Sequence, residues 1–141
     1  MKKWDIYLGG PKIEEFAPIP FYKKQIKAAL PDKLMFDPFD PIFENLQKQG
    51  LWWPNDLLGL THSSAMIAMV PEFPMPCLGP EAGIFYYYNC TNFNRPLAQL
   101  IIIWPDFIQP AYGCELMKKM GIVVQTIDEA VQALKDYFPY I

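Results

Sequence analysis

Ala65-Met66-Ile67-Ala68-Met69-Val70 carries no polar side chain and is bounded by Ser63-Ser64 in front and Pro71 behind. A strand with one wet face alternates apolar and polar residues; an unbroken apolar run of this length is the pattern of a strand buried on both faces, as in a parallel sheet covered by helices. Downstream, a Pro-rich loop (PEFPMPCLGPE) leads into a helix expected from Gly79 to Asn89, and Leu97–Trp104 (LAQLIIIW) reads as the next strand. Two buried strands flanking one helix make a βαβ unit, whose crossover is right-handed.

The same alternation extends both ways. Trp4–Leu8 is a β-rich run ending in Gly9-Gly10-Pro11, and Phe21–Leu30 places Phe21, Tyr22, Ile26, Ala29 and Leu30 at helical spacing with lysines between. Lys33–Phe36 is expected as strand two, followed by FDPFDP, where proline forbids a regular ladder and a shaped loop is expected. Short helices are expected over Ile42–Gln49 and Pro54–Leu60. Toward the end come a helix over Tyr112–Met120 closed by Gly121, a strand at Ile122–Val124, and an amphipathic helix over Ile127–Phe138 capped by Thr126. The expectation is one α/β domain over residues 1–141: a three-layer, five-stranded, mainly parallel sheet in the flavodoxin-like (Rossmann-like) order 2-1-3-4-5.

Composition narrows the function. The chain is 52% hydrophobic and 19% charged, with 16% aromatics and seven Met, more apolar bulk than one small core absorbs, so a homo-oligomer, dimer or higher, is expected. Net charge is −3 and Arg95 is the lone arginine, so no basic footprint exists for a nucleic-acid polymer. No apolar run is long enough to span a bilayer, and no membrane partner is expected. MKKWDIYLGG lacks the pattern of a secretory signal, and Cys77, Cys90 and Cys114 are odd in number and unpaired in spacing, which points to reduced thiols and a cytoplasmic setting. One His and three scattered Cys do not converge on a metal, and no cofactor is expected.

In an open parallel sheet, ligands bind beyond the carboxyl ends of the strands. The loops there hold Gly9-Gly10, Asp37 and Asp40, the segment before Glu81, and Pro105-Asp106-Phe107. Glu81 falls in the first turn of a helix, whose dipole favours a carboxylate, so it is expected to be ionised and aimed at the crevice. Such a carboxylate has the chemistry of a nucleophile toward an anomeric carbon, but from spacing alone the reading that comes first is a charge that does no more than stabilise its own helix.

The succession IYLGG, WPNDLLGL, SSAMIAMV and LGPEAGIFY resembles the nucleoside 2-deoxyribosyltransferase family, including related nucleotide N-glycosidases. The resemblance makes Gly79-Pro80-Glu81-Ala82-Gly83 the family's Gly-x-Glu-x-Gly element and Glu81 its nucleophile, and NRPLAQLIIIW the lead-in and strand that follow. It implies cleavage or transfer across the N-glycosidic bond of a nucleoside or nucleoside monophosphate, a small-molecule partner, and an oligomer whose sites borrow residues from a neighbour. Tyr7 matches a position near the base, where its ring could stack or simply pack in the core. Two departures stand out: Ser64 occupies the place of the family's aspartate at the start of the third strand, and Met75 stands six positions before Glu81, where relatives carry a polar residue. Asp56, with Asp37 and Asp40 as substitutes, is the candidate general acid or acceptor of a sugar hydroxyl. Tyr7, Gly9, Gly10, Asp37, Ser64, Gly79 and Arg95 are the candidate substrate-binding residues.

Other readings are weaker. His62 precedes Ser63-Ser64, but no nucleophile elbow surrounds either serine. Gly9-Gly10 matches neither the dinucleotide fingerprint nor the P-loop. Arg95 suits a phosphate or a surface carboxylate equally. Phe85-Tyr86-Tyr87-Tyr88 reads as a subunit interface. The alternative to an enzyme is a non-catalytic nucleotide-binding protein with a degenerate site, which the Ser64 and Met75 departures favour; a structural interaction module comes third.

Overall fold

A computed structural model describes residues 3–12, 17–72, 78–91, 100–108 and 114–137. Its strands are β1 (Trp4–Gly9), β2 (Met35–Phe36), β3 (Ser63–Met69), β4 (Leu100–Ile103) and β5 (Ile122–Val124). Its helices are α1 (Tyr22–Ala29), α2 (Glu44–Lys48), α3 (Trp52–Thr61), α4 (Leu78–Phe85) and α5 (Ile127–Tyr137). The strands form one open sheet in the order β2-β1-β3-β4-β5, every pairing parallel. This is the flavodoxin-like α/β architecture.

Strand pleating divides the core into two layers, because successive side chains point to opposite faces. Ile6, Leu8, Ala65, Ile67, Met69, Ile101 and Ile103 meet Tyr22 and Ile26 of α1 and Ile127, Ala130, Val131 and Leu134 of α5. Tyr7, Met66, Ala68, Leu100 and Ile102 meet Leu60 of α3 and Leu78, Ala82 and Phe85 of α4. All seven residues of β3 are buried, the two serines ahead of the apolar run included. Each fully buried Leu or Ile adds about 2 kcal/mol of transfer free energy, so the central strands anchor both layers.

Several elements differ from expectation. The expected helix from Gly79 to Asn89 is α-helical only to Phe85 and widens into a π-helical turn over Tyr86–Thr91. There the Asn89 side chain donates to the Phe85 carbonyl (3.2 Å) and to Leu60 (3.1 Å), competing for an acceptor the α-helical ladder would use. The Ile42–Gln49 helix splits into a 3-10 turn over Pro41–Phe43 and the short α2. The helix expected over Tyr112–Met120 is a 3-10 segment over Cys114–Lys119, with Tyr112 and Gly113 outside the described residues. β2 holds two residues rather than four, and α3 starts at Trp52, leaving Pro54 in the first turn where a missing N–H costs little. Thr126 does cap α5: its hydroxyl accepts from the Glu129 amide at 3.1 Å and donates to the Glu129 carboxylate.

Candidate functional site

The carboxyl ends of β1 and β2 and the inner sides of α1, α3 and α4 bring together Tyr7, Lys23, Asp37, Asp56 and Glu81. Tyr7 points to the α3–α4 face of β1, and its ring stacks on Phe36 of β2 with centroids 5.3 Å apart and planes 11° from parallel. Phe36 in turn fixes α3. A methyl group at Gly59 would lie 2.5 Å from the Phe36 ring, so only glycine lets the helix approach this closely. Asp56, one helical turn before Gly59, therefore faces the sheet, and it is 5% exposed.

Glu81 enters from α4. Gly9 lies two residues beyond Tyr7 on the same face, and a Cβ there would sit 3.6 Å from Glu81 Oε2 and 2.8 Å from the end of Met66. The absent side chain is what allows the carboxyl to rest against the end of β1. Gly10 turns the chain with φ 138°, and a Cβ on it would strike the Tyr22 hydroxyl of the opposite layer. Gly79 opens the first turn of α4, ahead of Glu81.

Glu81 is 4% exposed, and its Oε2, like the Tyr7 hydroxyl, lacks a hydrogen-bond partner among the described residues. Two buried orphan groups facing each other are uncommon, since each costs about 1–3 kcal/mol of desolvation. Burial, with the nearby Asp56 adding to it, pushes the Glu81 carboxyl up to about 8; the Tyr7 hydroxyl and the Lys23 ammonium oppose that rise. The hydroxyl acts on the carboxyl as a donor within reach of it, although the two do not meet the geometry of a formed hydrogen bond. The expectation of an ionised Glu81 is therefore corrected, because loss of water outweighs the helix dipole, an effect worth about 1 kcal/mol. Asp56 is raised to about 7 by burial, against the pull of Lys23. Tyr7 is held well above its usual range by burial and then by the charges of Glu81, Asp56 and Asp37.

The remaining candidates separate. Asp37 follows β2 and accepts from Lys23 Nζ at 2.8 Å and from the Phe39 amide at 3.0 Å, with Lys27 Nζ 3.6 Å away. Asp40 caps the 3-10 turn by accepting from the Ile42 amide. Ser64 is buried in the second position of β3, at the amino end of the strand, level with Asp5 and away from Gly9. Asp106 and Phe107 sit exposed in a turn. His62 closes α3, its Nδ1 beside the Leu58 carbonyl and the Thr61 hydroxyl, while Ser63 donates to Gly59, so no His–Ser pair forms. Tyr7 is fully buried with one ring face covered by Phe36, which fits packing better than stacking on a base. Arg95, Met75 and Cys77 lie outside the described residues.

Lys23, Phe36 and Gly59 were not among the sequence candidates. Lys23 stands three residues before Ile26, beside the apolar stripe of α1, and that spacing is the signal that would have marked it as buried. Among the described residues no cluster of three His, Cys, Asp or Glu side chains is arranged to hold a metal ion, and no helix is long and apolar enough to cross a membrane.

No family model matches the chain, and no curated protein does. Its structure is similar to the solved structure of a conserved protein from Enterococcus faecalis V583, with a TM-score of 0.58 and 14% identity over 95% of this chain and 98% of that one. At that identity the likeness shows a shared α/β fold.

Proposed function

We propose that the chain is an enzyme cleaving or transferring across the N-glycosidic bond of a nucleoside or nucleoside monophosphate, with Glu81 as nucleophile and Asp56 as general acid. The observation that carries this reading is the orphaned Glu81 carboxyl, buried against Gly9 and paired electrostatically with Asp56 at the carboxyl end of a parallel sheet. With carboxyls near 7 and 8 the pair is partly ionised at neutral pH and holds its proton first on Glu81, so the reactive form, with Asp56 protonated and Glu81 ionised, is the minor one. With that proton on Asp56, Glu81 Oε2 attacks the anomeric carbon as the C–N bond breaks, and the base leaves with the Asp56 proton. Water or a second base then displaces Glu81 from the glycosyl ester and returns a proton to Asp56. Tyr7 directs its hydroxyl at Glu81 and favours the ionised nucleophile.

Glu81→Gln and Glu81→Ala, assayed for base release from a panel of nucleosides and their monophosphates, are expected to lose at least about a thousandfold in rate, as nucleophile removal does. Turnover equal to wild type in the folded variant would remove Glu81 from the mechanism. The resting protonation of Glu81 favours a second reading, a nucleotide binder without turnover. It predicts ligand-dependent thermal stabilisation and no base release from the wild-type chain. Exposed Tyr87 (67%) and Tyr88 on the turn after α4 support a homo-oligomer, and sedimentation of the wild type against Tyr87→Ser tests it. A cytoplasmic setting completes the proposal.

A further inference from the structure

Asn89 is fully buried, and its side-chain amide donates both to the Leu60 carbonyl near the end of α3, at 3.1 Å, and to the Phe85 carbonyl at the end of α4, at 3.2 Å. One nitrogen thus holds the backbones of two helices no more than two hydrogen bonds apart. Asp56 stands one helical turn before Leu60, and Glu81 stands one helical turn before Phe85. Residues so spaced share a helix face and lie about 6 Å apart along the axis. α3 leads into β3 and α4 leads out of it, and both cover the same face of an all-parallel sheet, so the two helices run against the strands and parallel to each other. A step back of one turn on each therefore arrives at the same level of the sheet, and at the two carboxyls. Asn89 itself sits in the π-helical turn over Tyr86–Thr91, a rare distortion that recurs at functional sites.

We propose that Asn89 is a positioning residue, a buried amide clamp between α3 and α4 that fixes the separation of Asp56 and Glu81 without touching the substrate. The proposal deepens the glycosidic reading and rests on it for its catalytic meaning. A proton donor and a nucleophile must flank one C–N bond, and a misplacement of about 1 Å can cost about a hundredfold in rate. Gly59, against Phe36, and Gly9, against the Glu81 carboxyl, set how near each helix comes to the sheet. Asn89 sets how near the helices come to each other.

The test is a double-mutant cycle read by carboxyl carbon-13 NMR titration of the unliganded protein. The change in the Glu81 midpoint caused by Asp56→Asn measures how strongly the two carboxyls feel each other, and it is determined in wild type, Asn89→Leu, Asn89→Ala and Asn89→Gln. Tyr7 on β1, Lys23 on α1 and the Asp37 that pairs with Lys23 also surround the pair, and their effect is common to both arms of each comparison. Loss of the clamp in Asn89→Leu and Asn89→Ala is expected to cut the Asp56 effect to about half or less, as charges that move apart and admit water interact less. Asn89→Gln, which retains the amide, keeps most of it. An Asp56 effect unchanged in a folded Asn89→Leu or Asn89→Ala would overturn the proposal and leave Asn89 a role in stability alone. Should neither variant fold, the wild type decides. Asn89 amide protons coupled through hydrogen bonds to the Leu60 and Phe85 carbonyl carbons support the clamp, and amide protons that exchange as fast as those of an exposed asparagine overturn it. Base release by the same proteins is expected to fall about a hundredfold in kcat with KM little changed. A weakened Asp56 effect in a chain whose wild type releases no base keeps the clamp and sinks the enzyme; base release with the Asp56 effect intact in Asn89→Leu does the reverse.

Discussion

Glutamine at position 81 imitates the protonated acid, so its effect on stability should depend on pH in a way fixed by burial. The Glu81 carboxyl rises from 4.5 to about 8 on folding. Between those values the folded chain keeps a proton that the unfolded chain has released. Stability from this group is therefore complete below about pH 4 and is lost as pH climbs through 8. At about 1.4 kcal/mol per pH unit, the loss between pH 5 and pH 9 reaches roughly 4 kcal/mol, an upper bound because Asp56 shares the proton. Glu81→Gln feels none of it. Urea unfolding at the two pH values should show the variant gaining on wild type by several kcal/mol at pH 9, a midpoint difference of about 2 M for a chain of this size. Parallel curves at both pH values would refute the reasoning and make Glu81 an ordinary carboxylate.

Tyr7→Phe deletes a buried hydroxyl that has no hydrogen-bond partner among the described residues, so it should leave stability unchanged or raise it by up to about 1 kcal/mol, while moving the Glu81 titration further upward. A loss above that size in chemical denaturation would mean the hydroxyl is bonded after all. Gly59→Ala should cost about 1–3 kcal/mol, since the Phe36 ring in its way is held by Trp4, Tyr7 and Phe43 and cannot swing aside. An unchanged melting temperature would contradict that packing.

The sheet was legible because its central strands state their environment without ambiguity. Ala65–Val70 and the Ile101–Ile103 run are apolar at every position, which only a doubly covered strand tolerates, and the Gly, Pro and Thr126 punctuation gave the alternation of elements. Boundaries shifted where side chains compete with the backbone, as Asn89 does at the end of α4. For the site, sequence singled out Glu81, Asp56 and Tyr7, since acids and aromatics at strand ends are conspicuous. It misjudged the charge of Glu81, because a helix dipole can be read from position while desolvation depends on what packs from other elements. Lys23 is set beside the apolar stripe of α1 by its spacing from Ile26, but nothing within the YKKQIKAA segment reveals that Asp37, fourteen residues on, will neutralise it.

The brevity of β2 has a mechanical result. Its ladder with β1 stops at Phe36, so Asp37, the next residue, is released from the sheet and its carboxylate meets the Lys23 ammonium of α1 at 2.8 Å. Were β2 one or two residues longer, Asp37 would be drawn into the ladder and its backbone fixed by strand pairing. As built, Lys23 and Lys27 tie α1 to the end of β2, so the helix and the edge of the sheet are held to one another by charge.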